Sequence, residues 1–229
     1  MLITSSCSLT PGTYHLPNGI HIGAGNVTVD MSDVCLVGSG NGNGFGITVT
    51  AQTAVKIVGG SVRGYFYGLR IEESSLCTVT GTDLSHNWHD PHSTCDKAPW
   101  LDINAPPNLS DKQNLGGGVF ALRCEHLTLQ HVTASVQENG FDLYHTVAAV
   151  LENCTACNCS GWGVHLHNTS HSHISHSKFN QCIRPGLGDS AGILLVNDSH
   201  HNTGENTHIH THSSPQHDSP DNSDGYVFS

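Results

Sequence analysis

Seven short segments of this chain share one pattern, a glycine followed by alternating apolar residues. They are GFGITVTA (44–51), FYGLRIEE (66–73), GGGVFALR (116–123), NGFDLYHT (139–146), GWGVHLHN (161–168), SAGILLVN (190–197) and SDGYVFS (223–229). Their aligned glycines, Gly46, Gly68, Gly118, Gly140, Gly163, Gly192 and Gly225, are spaced 22, 50, 22, 23, 29 and 33 residues apart. A second series of apolar markers interleaves with them: Val29, Ile57, Val79, Leu129, Leu151, Ile174 and Ile209. The step from each glycine to the next marker is 11 residues five times and then 17. A fixed period near ~22 with two or more short strands in each period is the signature of a solenoid. Three strands and three turns close one circuit in about that length. No single circuit buries its apolar side chains alone, so circuits stack and equivalent residues form ladders. One expected ladder is Ile47, Leu69, Val119, Phe141, Val164, Ile193 and Tyr226. The next is Val49, Ile71, Ala121, Leu143, Leu166, Leu195 and Phe228. The L-x-x-L-x-L signature of a leucine-rich repeat is missing, and no helical stretch follows the strands.

Composition agrees with an all-β chain. Charged residues make up 12%, about half the usual ~25% share, so the Lys- and Glu-coated faces of surface helices are not available. A net charge of −11 with only 8 Lys and Arg argues against nucleic acid as a partner. No apolar run of ~18 residues is long enough to span a membrane. The first residues lack the basic and apolar regions of a signal peptide. The chain ends at Ser229 inside a repeat strand, which predicts that the solenoid continues beyond it. Nine cysteines, an odd number, leave at least one unpaired within the chain. Cys154 and Cys157 have C-x-x-C spacing without a second such pair, so the cysteines read as small buried hydrophobes rather than a zinc site. Six N-x-S/T sequons, at Asn26, Asn108, Asn153, Asn158, Asn168 and Asn197, are what chance produces in a chain rich in Asn, Ser and Thr.

LTPGTYHLPNGIHIGAGNVTVD, ENGFDLYH, SGWGVHLHNTS and RPGLGDSAGILLVNDSHHN resemble segments of the right-handed parallel β-helix (pectate-lyase-like) superfamily. Within it they are similar to the right-handed β-helix-region proteins often labelled NosD-like or periplasmic copper-binding. The likeness covers roughly residues 9–229. It implies a single-stranded right-handed parallel β-helix of about seven coils of 22–23 residues. An N-terminal cap segment (1–25) precedes the coils (26–229), and a long insertion loop spans 83–117. It also implies an extracellular or periplasmic location.

Residues between the inward positions point outward. With coils ~4.8 Å apart, Asp142, Tyr144, His165 and His167 form one outward patch on adjacent coils. The insertions fall mostly in the turn that enters the glycine strand, where they would wall a groove suited to an extended polysaccharide. In β-helix uronate lyases and C5-epimerases a base removes the C5 proton and an acid donates one. Asp142, Tyr144, His165 and His167 are the candidates for that chemistry, and Arg70, Glu72, Arg184 and Asp189 for holding substrate. HDPHS (89–93) resembles the D-P-H-D motif of mannuronan C5-epimerases at Asp90, Pro91 and His92. Ser93 stands in place of the last Asp, and Asn87 where those enzymes carry Tyr. HSHISH (171–176) and HIHTH (208–212) align through Ile174 and Ile209. That alignment predicts His173 beside His208 and His210 as an outward Cu or Zn site. Calcium is not supported, because the carboxylates are scattered. Three readings stay open at this point: a carbohydrate-active protein with lyase or epimerase chemistry, a non-catalytic surface or periplasmic binding protein with copper or zinc on its histidines as one form of it, and a purely structural solenoid.

Overall fold

A computed structural model describes residues 1–88, 116–182 and 191–210. Every strand pairing in it is parallel. Eight strands form the first sheet: Leu2–Ile3, Ile20–Ile22, Phe45–Thr50, Tyr67–Glu72, Gly117–Leu122, Asn139–Tyr144, Trp162–His167 and Ala191–Val196. Eight shorter strands, from Cys7–Ser8 to Thr203–Glu205, form a second sheet in the same order. A third face carries Gly12–His15, Val34–Val37 and Ser61–Arg63 at one end, and Thr155–Cys157, Lys178–Asn180 and His208–His210 at the other. Single bridges through Asp83 and Thr133 join the two groups. The chain therefore winds around three faces, one coil per period, as the repeat demands.

The register of the first sheet is the one expected from the glycine segments. Ile47 pairs with Leu69, Leu69 with Val119, Val119 with Phe141, Phe141 with Val164 and Val164 with Ile193. Phe141 and Leu143 are fully buried in this core. Burial of such a side chain stabilises by ~1.5–3 kcal/mol, and the sum over ladders is what holds the coils, against which no helix packs among the described residues.

The glycines are required by close approach. A Cβ on Gly140 would lie 2.5 Å from the Ala156 Cβ, and one on Gly163 would lie 2.9 Å from the Phe179 Cβ. Both positions face inward against the opposite wall, directly beside the inward residue that follows. Alternation is therefore broken at each glycine, and the residue before it turns to the outer face. Tyr67 and Asn139 are two such residues.

Two expectations are corrected. Residues 1–25 are not a separate cap ahead of the coils. They carry the strands Leu2–Ile3, Cys7–Ser8, Gly12–His15 and Ile20–Ile22, and Ile20 pairs with Ile47 and Ile22 with Val49. The Gly19-Ile20-His21-Ile22 rung is set off from the next by 27 residues, because the SGNGNG stretch (39–44) lengthens that coil. The first sheet thus has eight rungs among the described residues. The second correction concerns Ile209. The second-sheet strand of the last described coil is Thr203–Glu205, whose central residue Gly204 pairs with Ile174. Ile209 instead pairs with Phe179 on the third face. The TGE strand has no apolar residue to mark it, so a pattern of apolar markers skips to the following strand.

The corners explain the sequons. Asn26, Asn153, Asn158, Asn168 and Asn197 all adopt positive φ, between 48° and 57°. Asn tolerates this left-handed conformation better than most residues with a Cβ. Asn108, like the 89–93 motif, lies outside the described residues.

Candidate functional site

The site lies on the outer face of the first sheet. Phe120 pairs with Asp142 and Asp142 with His165, while Tyr144 pairs with His167. The four candidates from the sequence are therefore neighbours on two adjacent coils. They are not an exposed ladder, however: Asp142 is fully buried, and His165, His167 and Tyr144 are only 2–3% exposed. Among the described residues, aromatic rings pack over this face. Phe66, Tyr67, Phe120 and Tyr144 form a second apolar cluster, with Phe45, Trp88 and Leu122 against it. The Trp162 ring centre lies 4.6 Å from that of His165.

Within this cluster the polar groups are ordered around one carboxylate. Tyr67 donates its hydroxyl to Asp142 Oδ2 at 2.6 Å, and Asn139 Nδ2 donates to the same oxygen at 3.1 Å. Both donors precede a ladder glycine. The other oxygen, Oδ1, lies 3.6 Å from His165 Nδ1. Among the described residues, neither Asp142 Oδ1 nor either nitrogen of His165 has a hydrogen-bond partner. Buried polar atoms are normally satisfied, so three orphans in one place require an explanation. Tyr144 stands edge-on to His165, with ring centres 5.2 Å apart. His167 Nε2 accepts from Asn197 Nδ2 at 2.6 Å.

Burial pushes the Tyr67 phenol well above its usual range, and the negative charge of Asp142 pushes it further. The Tyr144 phenol moves the same way for the same two reasons. Both therefore stay protonated and can donate. A neutral phenol, a carboxylate and an imidazole with uncommitted nitrogens are the parts of an acid–base site.

The remaining candidates separate from this cluster. Arg70 Nη2 binds Glu72 Oε2 at 2.7 Å, and its guanidinium lies 4.6 Å from the Phe45 ring centre. Arg70 pairs with Phe120 and Phe120 with Asp142, so Arg70 sits two coils, ~9.6 Å, from that carboxylate. Arg184 and Asp189 lie outside the described residues. The expected His173–His208 stack is absent. His173 Nδ1 meets Thr203 Oγ1 at 2.8 Å, and its Nε2 lies 3.7 Å from Glu205 Oε1. His208 pairs with Lys178 on a different face, and His210 pairs with Asn180. The misplaced Ile209 marker is the cause. Among the described residues no three His, Cys, Asp or Glu side chains converge on a common metal position as they stand.

The cysteines are buried as expected in five of eight described cases, and all eight are free thiols. Cys124 has a further role. Its Sγ donates to the Leu122 carbonyl, as Ser74 Oγ does to Glu72 and Thr146 Oγ1 to Tyr144. It replaces one hydroxyl in a ladder of Ser and Thr.

These observations define an all-β solenoid with a buried cluster of one carboxylate, two phenols and two imidazoles on the outside of one sheet. The chain belongs to the family described as right handed beta helix region, which it matches over residues 18–209. Among solved structures it is similar to an alginate lyase from Paenibacillus sp. str. FPU-7, with a TM-score of 0.57 and 11% identity. That match covers 85% of this chain, which spans 66% of the lyase's length. At that identity the likeness speaks for the fold alone. QnrB1, a plasmid-mediated fluoroquinolone resistance protein, matches at a TM-score of only 0.28 and 11% identity, over 85% of this chain and 92% of its own. No curated protein sequence matches. No helix among the described residues is long and apolar enough to cross a membrane.

Proposed function

We propose that this protein is a carbohydrate-active β-helix protein that binds an extended, uronate-containing polysaccharide and acts on it as a lyase or C5-epimerase. The observation that carries the reading is His165, an imidazole only 2% exposed whose two nitrogens have no partner among the described residues, set 3.6 Å from a carboxylate oxygen in the same condition. In this reading Asp142, held by Tyr67 and Asn139, steadies the protonated Nδ1 of His165. Nε2 is then the base for the C5 proton. For a lyase, the C5–H electron pair forms the C4–C5 double bond as the C4–O bond breaks, and Tyr144 protonates the leaving oxygen. For an epimerase, His165 keeps the proton it removed and Tyr144 donates its phenol proton to the opposite face of C5. His167 lines the same site. In this reading Arg184 neutralises the substrate carboxylate and Asp189 is a further substrate contact. Arg70 and Glu72 contact the polymer two coils away. The reading requires the aromatic cover to part on binding. An extended polysaccharide substrate places the protein outside the cytoplasm, extracellular or periplasmic.

The test is incubation with alginate and with pectins. Ultraviolet absorbance of unsaturated uronates reports elimination, and proton NMR of the polymer reports epimerisation. Activity that disappears in His165→Gln supports the reading. No change in either polymer by either method overturns it.

The burial of the site favours a second reading, in which the same cluster only fixes coil register and the protein binds polysaccharide without chemistry. Affinity electrophoresis on the same polymers separates the two. Retardation without turnover identifies the binding protein, and neither retardation nor turnover leaves a structural solenoid.

A further inference from the structure

Three exposed histidines meet at one corner of the last described coils. His171 sits at a left-handed corner (φ 56°), and the next coil places His200 and His201 (φ 53°) against it. The His171 amide donates to the His200 carbonyl at 3.2 Å, which fixes the two corners together. The ring centres are 5.8 Å apart for His171–His200, 5.1 Å for His171–His201 and 5.0 Å for His200–His201. A transition metal ~2.0–2.1 Å from an imidazole nitrogen lies ~3.2 Å from the ring centre, so two rings at a tetrahedral angle have centres ~5.2 Å apart. The three observed separations bracket that value.

The nitrogens do not converge as the rings now stand. The Cβ–Cγ bond of histidine points nearly through the ring centre. Rotation about χ2 therefore re-aims the nitrogens and leaves the centre separations almost unchanged. Exposed rings turn at little cost. One ring is already committed: His200 Nδ1 lies 2.6 Å from the Asp198 carbonyl oxygen. A carbonyl only accepts, so Nδ1 carries the proton and Nε2 presents its lone pair. This outer-shell bond to a backbone carbonyl is the one that metal-ligating histidines characteristically make.

We propose that His171, His200 and His201 form a three-imidazole site for a tetrahedral transition cation of the Zn(II) class, with the fourth position open to solvent. The site is independent of the acid–base cluster on the first sheet. It differs from a His173–His208–His210 site in residues, face and geometry.

The test uses the full chain, freed of metal and titrated with Zn(II) against a chromophoric chelator, then with Co(II) to read coordination from its visible spectrum. The expected result is one strong site with the intense bands of tetrahedral Co(II). Each of His171→Ala, His200→Ala and His201→Ala weakens binding at least ~10-fold, and the double variant His208→Ala/His210→Ala leaves it unchanged. Circular dichroism confirms that each variant is folded, and His→Gln replaces any that is not. Absence of a strong site overturns the proposal. So does binding that survives the three substitutions, or binding lost only in the 208/210 variant.

Discussion

Replacing Tyr67 by Phe isolates the bond that anchors the candidate site. The hydroxyl donates to Asp142 Oδ2 at 2.6 Å, the carboxylate is fully buried, and its second donor, Asn139 Nδ2, is longer at 3.1 Å. Phe keeps the ring and its packing 5.3 Å from Phe120, so no cavity opens. What is lost is a hydrogen bond to a charged acceptor, which contributes ~1.5–3 kcal/mol. Asp142→Asn leaves a neutral acceptor oxygen, and in that background the hydroxyl is worth ~0.5–1.5 kcal/mol. A double-mutant cycle followed by urea denaturation should therefore show a Tyr67→Phe loss of about 2 kcal/mol in the wild type and about 1 kcal/mol in the Asp142→Asn background, a coupling of about 1 kcal/mol. A Tyr67→Phe protein as stable as the wild type, or equal losses in the two backgrounds, would refute the charged-acceptor argument.

Three further outcomes follow from the coils. Gly163→Ala drives a Cβ against the Phe179 Cβ at 2.9 Å and the Gly192 carbonyl; it should cost at least ~1–3 kcal/mol by thermal denaturation, whereas Gly81→Ala, with no atom within 4 Å, meets no packing clash and pays only for its positive φ. Cys124→Ser should be tolerated within about 1 kcal/mol, since Ser74 and Thr146 make the same bond one coil away on either side. Burial raises the Cys124 and Cys154 thiols from 9.0 to about 12. A folded-state value above the unfolded one gives stability that is present below pH ~9 and lost as pH climbs toward the folded value, by up to ~1.4 kcal/mol per thiol and pH unit. Urea midpoints between pH 9 and 10 should fall more steeply in the wild type than in Cys124→Ser/Cys154→Ser, since the tyrosines contribute equally to both.

The sequence carried the stacking well, because inward ladders recur as apolar letters at a fixed period. The pairing of Asp142 with His165 and of Tyr144 with His167 was legible on that basis. Tyr67 and Asn139 were not. Strict alternation puts each on the core side with Leu69 and Phe141, and only the break at Gly68 and Gly140 turns them outward. The glycines were visible as markers, but their reason, the absence of room for a Cβ against Ala156 or Phe179, depends on the opposite wall. Burial of the outer face was equally hidden, since it arises from aromatic residues of other coils. The His171–His200–His201 corner escaped because a strand without an apolar residue, TGE, shifted the alignment of the last coil.

His165 carries the functional account, and the most direct measurement is turnover of alginate and pectin by the wild type beside His165→Gln and Tyr144→Phe. New unsaturated ends or inverted C5 centres are expected with the wild type, none with His165→Gln, and a reduced rate with Tyr144→Phe. Polymers left unchanged by a folded wild-type protein, or turnover undiminished in His165→Gln, would contradict it.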